Sequence, residues 1–444
     1  MSHPQDLSLR DQAAAIRSGE LDPAELLDAT LARIEERNGD LNAVVGLAPD
    51  ESRRMLEAAP DGPLRGVPVG IKDEFTVPWR APRNGSALDA LPPGESAVFR
   101  RVRDAGAVVA GVTQMHFWGA GTTGHLSADG PVGNPWDPTR CAGGSSGGSA
   151  SAVGGRLFAA AVGADGGGSV RIPSAYCGLT GLKLTNNVVP RDGHVHRHSG
   201  LGAFGPICRD AADARLFGSA LLARELAAGD GSGLRVGVVR DPFWSDLDPA
   251  VETASTEALE ASGWAVDEIA LDGAVHSLIA TVVIITVEAL PELSDEDLAD
   301  IDPLMRALIK YERLMPAEAL ARAYRIRSQL RRSVAAAFET YDVLAWPTVP
   351  VGAPPIEAPY VTRPSGPGSP EPANVGQCGL GNVTGIPGIN VPVGFDADGM
   401  PIGLMLQAAW GREELLLDAA EHIEAATDRR FVDAEPPIAA AASS

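Results

Sequence analysis

The chain opens on two stretches whose apolar residues recur at helical spacing, 7–18 and 23–37. In the second, Leu26, Leu27, Ala29, Leu31 and Ile34 fall mostly on one face, and Asp22-Pro23 supplies a cap followed by proline in the first turn. Asn38-Gly39 is the expected stop. The period then changes. Val67, Val69 and Ile71 alternate as in a short strand, which sends Lys72 to the other face at its end. Residues 95–104 read as a helix and 107–112 as a buried strand, and the alternation restarts at 234–239 (strand), 250–262 (helix) and 264–271 (strand). Helices are also predicted at 51–59, 278–289, 316–341 and 412–427, and strands at 43–47, 182–184, 343–346, 389–393 and 402–406. Such alternation predicts an α/β protein with a parallel or mixed sheet flanked by helices. Neither a repeat nor a sharp boundary interrupts it, so 1–444 is read as a single domain, with 231–370 as a candidate semi-independent lobe.

Two serine-bearing glycine turns break the pattern. The first is Gly143-Gly144-Ser145-Ser146-Gly147-Gly148-Ser149; the second, Asp165-Gly166-Gly167-Gly168-Ser169, runs on into Val170-Arg171-Ile172-Pro173. Glycine loses more backbone entropy on folding than any other residue, so clusters need a reason. A flexible linker is one reason, but Trp136, Leu157, Phe158, Val162, Ile172, Tyr176 and Leu179 make both flanks read as buried. The other is close approach of backbone N–H groups to a ligand.

Composition narrows the function classes. A net charge of −22 argues against a direct nucleic-acid partner and against an anionic membrane surface, since both need basic surface. Cys141, Cys177, Cys208 and Cys378 lie far apart without metal-ligand spacing and read as buried free thiols in a reducing compartment. The polar N-terminus lacks the features of a signal peptide, and the apolar run at 278–287 is too short to span a bilayer; the expectation is a cytoplasmic protein. His194, His196 and His198 have neither helical i, i+4 spacing nor a nearby ligand set, so no metal is expected there. Five arginines between 322 and 332 read as a solvated helix face.

The candidate nucleophiles are the serines on the glycine turns. A serine needs a base, and no GxSxG elbow with a matching acid and histidine occurs. A lysine serves if burial keeps it neutral, and Lys72 is the best placed by sequence. The amides of Gly166, Gly167, Gly168 and Ser169 are candidates to converge on one oxyanion. From the residues alone the reading stops at a hydrolase or acyl-transfer site.

Taken together, 66–73 (from Gly66 through Lys72-Asp73), 134–140 (Asn134-Pro135-Trp136-Asp137-Pro138-Thr139-Arg140), the first glycine turn and 165–183 resemble the amidase signature family. So do 341–350, Asn382-Val383-Thr384-Gly385-Ile386-Pro387 and Pro401-Ile402-Gly403-Leu404. The likeness spans nearly the whole chain and is weakest at 270–340. It implies a single α/β/α domain around a twisted mixed sheet of about ten strands. It implies Ser169 as nucleophile, Ser145 as bridging serine after a cis Gly144–Ser145 bond, and Lys72 as base, with Ser146, Asp165 and Arg171 supporting them. No cofactor and no metal are implied. The expected activity is hydrolysis of carboxylic amides, with esters and carbamates (urethanes) as related substrates. The alternatives are the A subunit of a glutamyl- or aspartyl-tRNA amidotransferase and a non-catalytic scaffold.

Chain length, acidity and the aromatic segment 115–125 set the chain apart from the amidotransferase reading. The expected partners are therefore a small-molecule amide and water, with no nucleic acid and no membrane, in a monomer or homodimer. Met115, Phe117, Trp118, Gly119 and Thr122, with 186–202 and 348–371, are the expected pocket walls. Departures from the family pattern are Gly166 where Thr is usual, Leu184 and Ala142 where Pro is usual, and Phe117 and His125 in a segment that more often carries acidic or amide side chains.

Overall fold

Apolar runs with no polar alternation become strands buried on both faces, which places them inside one sheet rather than at its surface. In the computed structural model, which describes residues 3–196, 199–289, 303–312 and 314–427, the strands are β1 (Val44–Leu47), β2 (Pro68–Lys72), β3 (Val108–Thr113), β4 (Ala160–Asp165), β5 (Thr180–Lys183), β6 (Ala203–Cys208), β7 (Arg235–Val239), β8 (Ala265–Ile269), β9 (Val343–Pro347), β10 (Val361–Arg363), β11 (Gly366–Gly368), β12 (Gly388–Phe395) and β13 (Pro401–Gln407). Eleven of them form one mixed sheet in the order β1-β3-β2-β4-β6-β5-β12-β13-β9-β7-β8; β10 and β11 pair separately. The parallel pairs are β2 with β3, β2 with β4, β7 with β8 and β7 with β9. β2 through β6, β9 and β13 are buried along their whole length.

Helices flank this sheet. Ala97–Asp104 packs on Ala211–Leu222, Glu413–Ala426 on β12, and Ser277–Glu288 against both Ala317–Ala337 and Pro370–Thr384. A core running from Leu9 to Ile423 fills the space between layers, and each fully buried Val, Leu or Ile in it contributes about 1.5–3 kcal/mol.

Several elements differ from the pattern-based expectation. The second helix runs Pro23–Leu41, through Gly39, because the left-handed residue that ends it is Asn42. Asn38 helps hold that end: its side chain accepts from the amides of Ala43 and Val44. The small-residue stretch before Asp165 is β4, and β6 follows the polar 186–202 loop; neither carries an alternating pattern. The five arginines lie on helix Ala317–Ala337, mostly exposed. All four cysteines are buried free thiols. Among the described residues no helix is long and apolar enough to cross a membrane.

Candidate active site

The parallel pairing of β2 and β4 brings their C-terminal ends together, so Lys72 and Asp165 leave the sheet at the same edge. Crevices at the carboxyl ends of parallel strands are where α/β sheets bind ligands. Ser145 immediately precedes Ser146 and the helix Gly147–Gly154; Ser169 precedes the helix Arg171–Tyr176. The Gly144–Ser145 peptide is cis.

Lys72 is 1% exposed, and its Nζ lies 2.8 Å from Ser145 Oγ across 73 residues of sequence. Nζ also lies 3.4 Å from the Ala164 carbonyl and 3.0 Å from Glu74 Oε1. Burial pulls the Lys72 pKa below its ordinary value, against the opposing field of Glu74. Burial by itself would raise the Glu74 carboxyl, but Lys72, His194 and His196 outweigh it and hold Glu74 well below the usual carboxylate range. The backbone amide of Ser146 donates to the Ser169 carbonyl at 3.2 Å, and Ser146 Oγ donates to the Ala164 carbonyl at 3.2 Å. These bonds tie the two glycine turns to each other and to β4.

Asp165 and Arg171, both fully buried, lock the second turn. Asp165 Oδ1 accepts from the Gly168 amide (2.7 Å), Arg171 Nη2 (2.9 Å) and Asn382 Nδ2 (2.8 Å). Oδ2 accepts from the amides of Val170 (3.2 Å) and Arg171 (3.4 Å) and from Arg171 Nε (2.9 Å). Arg171 in turn outweighs the effect of burial and holds the carboxyl well below the usual range. One of the four expected oxyanion donors is thereby corrected: the Gly168 N–H is committed to Asp165 Oδ1. The amides of Gly166, Gly167 and Ser169 have no hydrogen-bond partner among the described residues. Gly168 is left-handed (φ +123°), and a Cβ there would sit 2.4 Å from Ile172 Cδ1, so the position needs glycine.

Lys72, Ser145, Gly166, Gly167 and Ser169 all line one cavity of about 610 Å³. Trp118, Gly119 and Thr122 line it as expected, with His194, His196, Ser199 and Gly202 from the 186–202 loop and Pro359, Tyr360, Ser369 and Glu371 from the proline-rich segment. Val282 and Ile285 of helix Ser277–Glu288 and Val375 of helix Pro370–Thr384 add an apolar side. Met115 and Phe117 are corrected: neither reaches the cavity. Met115 is fully buried, and Phe117, on the other side of the 3-10 turn Phe117–Gly119, packs with Trp118 and Ile309.

Three groups at the site were not expected from the sequence. Glu74 is buried against Lys72. Asn382 completes the Asp165 clamp, its Oδ1 accepting from Arg171 Nη2 at 2.7 Å. Glu371 is raised by its burial, against hydrogen bonds from Thr122 and Thr123. Only Glu74 carried a sequence signal, an acid two residues after the candidate base inside an apolar stretch. Of the three histidines, His194 and His196 turn toward Glu74, at 3.5 and 3.9 Å from Oε2, and His198 lies outside the described residues. Burial pushes His196 down to about 4 and His116 down to about 3. Among the described residues His116, His125 and Glu371 bring ligand-type atoms within 4.8 Å of one another, a grouping the metal-free expectation did not foresee. Each of the three also has a protein hydrogen-bond partner: the Gly124 amide donates to His116 Nδ1, Thr123 Oγ1 donates to Glu371 Oε1, and Thr123 Oγ1 also pairs with His125 Nδ1.

The sequence pattern of the Amidase family matches residues 25–417. The A subunit of the glutamyl-tRNA(Gln) amidotransferase of Chromohalobacter salexigens is 33% identical, the match covering 95% of this chain and 97% of that one. A solved structure of an amidase superposes with a TM-score of 0.89 at 28% identity, covering 95% of this chain and 100% of the other. Substrate-complexed 6-aminohexanoate cyclic dimer hydrolase gives 0.84 at 27% identity, over 98% and 99%. These relatives overturn one expectation. The exclusion of nucleic acid as a partner, with a small molecule alone in its place, falls, because relatives matched over nearly their whole length are named for an enzyme of glutamyl-tRNA. Net charge is a weak guide to such a partner, because one polypeptide's own charge does not report on what the other members of an assembly bind.

Proposed function

This chain belongs to the Amidase family, and from that premise we propose that it cleaves a carboxamide C–N bond through an acyl-enzyme on Ser169. The observation that carries the reading is the buried Lys72 Nζ at 2.8 Å from Ser145 Oγ, on the wall of the cavity that Ser169 shares. Lys72, made a readier base by burial, draws a proton from Ser145 Oγ while Ser145 takes the proton of Ser169 Oγ. Ser169 Oγ attacks the acyl carbon. The amides of Gly166, Gly167 and Ser169 receive the oxyanion, each such donor being worth roughly 2.7–4 kcal/mol in favourable cases. Collapse of the tetrahedral intermediate breaks the C–N bond, with Ser145 returning the proton to the leaving nitrogen. Water then cleaves the acyl-enzyme by the reverse relay. Esters and carbamates present a similar carbonyl to the same nucleophile.

The amidotransferase relatives favour a second reading, in which the carboxamide is glutamine and the ammonia passes to an acceptor on a partner protein. The purified chain, assayed in parallel on aryl amides and on L-glutamine, separates the two. Saturable arylamine release by the chain alone supports the free-standing amidase. Ammonia from glutamine only, stimulated by partner proteins, supports the amidotransferase. Failure on both substrate sets, with no Ser169 adduct, would sink the catalytic reading.

A further inference from the structure

A buried carboxylate next to a buried lysine is more than the three-residue relay requires. Glu74 is 2% exposed, and its Oε1 lies 3.0 Å from Lys72 Nζ. Oε1 accepts no hydrogen bond among the described residues, so Lys72 is what that oxygen faces. Oε2 faces His194 Nε2 at 3.5 Å and His196 Nε2 at 3.9 Å. Asn84 Nδ2 donates to His196 Nε2 (3.1 Å), which assigns the His196 proton to Nδ1, beside the Ala289 carbonyl at 2.9 Å. Burial lowers the pKa of both imidazoles and so disfavours a positive charge on them. The remaining charged neighbour of Lys72 is Asp165 at the end of β4, already neutralised by Arg171; buried His116 also lies within its field.

We propose that Glu74 is a positioning residue of the proton relay, neutralising the ammonium that forms on Lys72 when the serine proton arrives, so that Ser169, Ser145, Lys72 and Glu74 work as one unit. The proposal rests on Lys72 being the base. The proton travels from Ser169 Oγ to Ser145 Oγ and from Ser145 Oγ to Lys72 Nζ, and Glu74 stays ionised throughout. Its task matches that of the aspartate behind the histidine in a Ser-His-Asp triad: it orients the base and stabilises the cation, without taking the proton. The fold holds the carboxylate there through the backbone. The Val195 amide donates to the Glu74 carbonyl (3.0 Å) and the Thr76 amide to the Gly193 carbonyl (2.8 Å), bonds that a side-chain substitution leaves in place.

The test is the rate at which a fluorophosphonate labels the full chain as a function of pH, in wild type, Glu74→Gln, Glu74→Asp and Lys72→Ala. Glu74 favours the protonated lysine, so its neutralisation lets Lys72 stay an active base to lower pH. In Glu74→Gln the acid limb should move down by about one pH unit or more, as expected for loss of an opposite charge at this range, while the plateau rate falls at least about tenfold because the forming ammonium loses its counter-ion. Glu74→Asp should fall between the two, and it decides the matter if the Gln variant does not fold. A purely structural salt bridge would let the acid limb move yet leave the plateau rate of folded variants where wild type has it, and that result overturns the proposal. Lys72→Ala labelling at the wild-type rate would instead remove the base reading itself.

Discussion

Asp165→Asn separates what the Asp165–Arg171 clamp does for stability from what it does for chemistry. All six groups that meet the Asp165 carboxylate are donors, three on each oxygen. An asparagine NH₂ in either orientation would confront three of them, and Arg171 would be left as a buried charge without its partner. Removing one partner of a buried pair costs about 3–5 kcal/mol. For a chain of 444 residues, at about 2.1 cal/mol/K of unfolding entropy per residue, that lowers Tm by only about 3–5 °C. The chemistry should suffer far more. Asp165 fixes the amides of Gly168 and Val170 on either side of Ser169, and misplacing an oxyanion donor costs about 10²–10³-fold in rate. Thermal melting and fluorophosphonate labelling, run on the same preparation, read the two effects. The pH dependence gives an internal check. The Asp165 carboxyl is held below its unfolded value, so it contributes full stability above an unfolded pKa of about 3.9, and this is lost as pH falls through the folded value. The Tm gap between variant and wild type should therefore be full at neutral pH and narrow in acid. A variant that melts a few degrees lower yet labels at the wild-type rate would refute the link between the clamp and the donors.

Two glycines of the same turn should respond in opposite ways. At Gly166 an added Cβ meets nothing within 4 Å, so Gly166→Thr should melt within about 1 kcal/mol of wild type, as surface substitutions do; its extra bulk beside the cavity should lower kcat/KM for large acyl groups more than for small ones, in a series of p-nitrophenyl esters. At Gly168 the left-handed backbone and the contacts at 2.4 Å to Ile172 and 2.7 Å to Cys378 leave no room, so Gly168→Ala should cost about 1–3 kcal/mol by strain and overpacking and reduce Ser169 labelling as well; melting and labelling at wild-type levels would show that the turn adjusts.

Lys72, Ser145 and Ser169 stood out in the sequence because each sits in an unusual local run, a lysine closing an apolar strand and serines inside glycine clusters with buried flanks, while their separate roles came from the family resemblance. The strands β2, β3, β7, β12 and β13 were legible for the same reason, since apolar periodicity is local. Strand order was not, because antiparallel and parallel neighbours in the buried sheet present the same unbroken apolar runs. β4 and β6 were missed because alanine, glycine and proline make up most of β4 and half of β6, residues that do not announce a strand. Met115 and Phe117 were misplaced because a side chain's direction in an irregular segment depends on the turn at Phe117–Gly119, which has no period to read. Asn382 reaches Asp165 across 217 residues of sequence and Arg171 across 211, and Glu371 reaches Thr122 across 249, all from the helix Pro370–Thr384, and only the fold supplies that proximity.

The site of covalent modification is the most direct measure of whether Ser169 is the nucleophile. The purified chain is treated with a fluorophosphonate, digested, and mapped by mass spectrometry, beside Ser169→Ala and Ser145→Ala. The expected result is a single adduct on Ser169, absent from Ser169→Ala and formed far more slowly in Ser145→Ala, where the proton bridge to Lys72 is gone. An adduct on Ser145, or labelling that survives Ser169→Ala, would contradict the assignment.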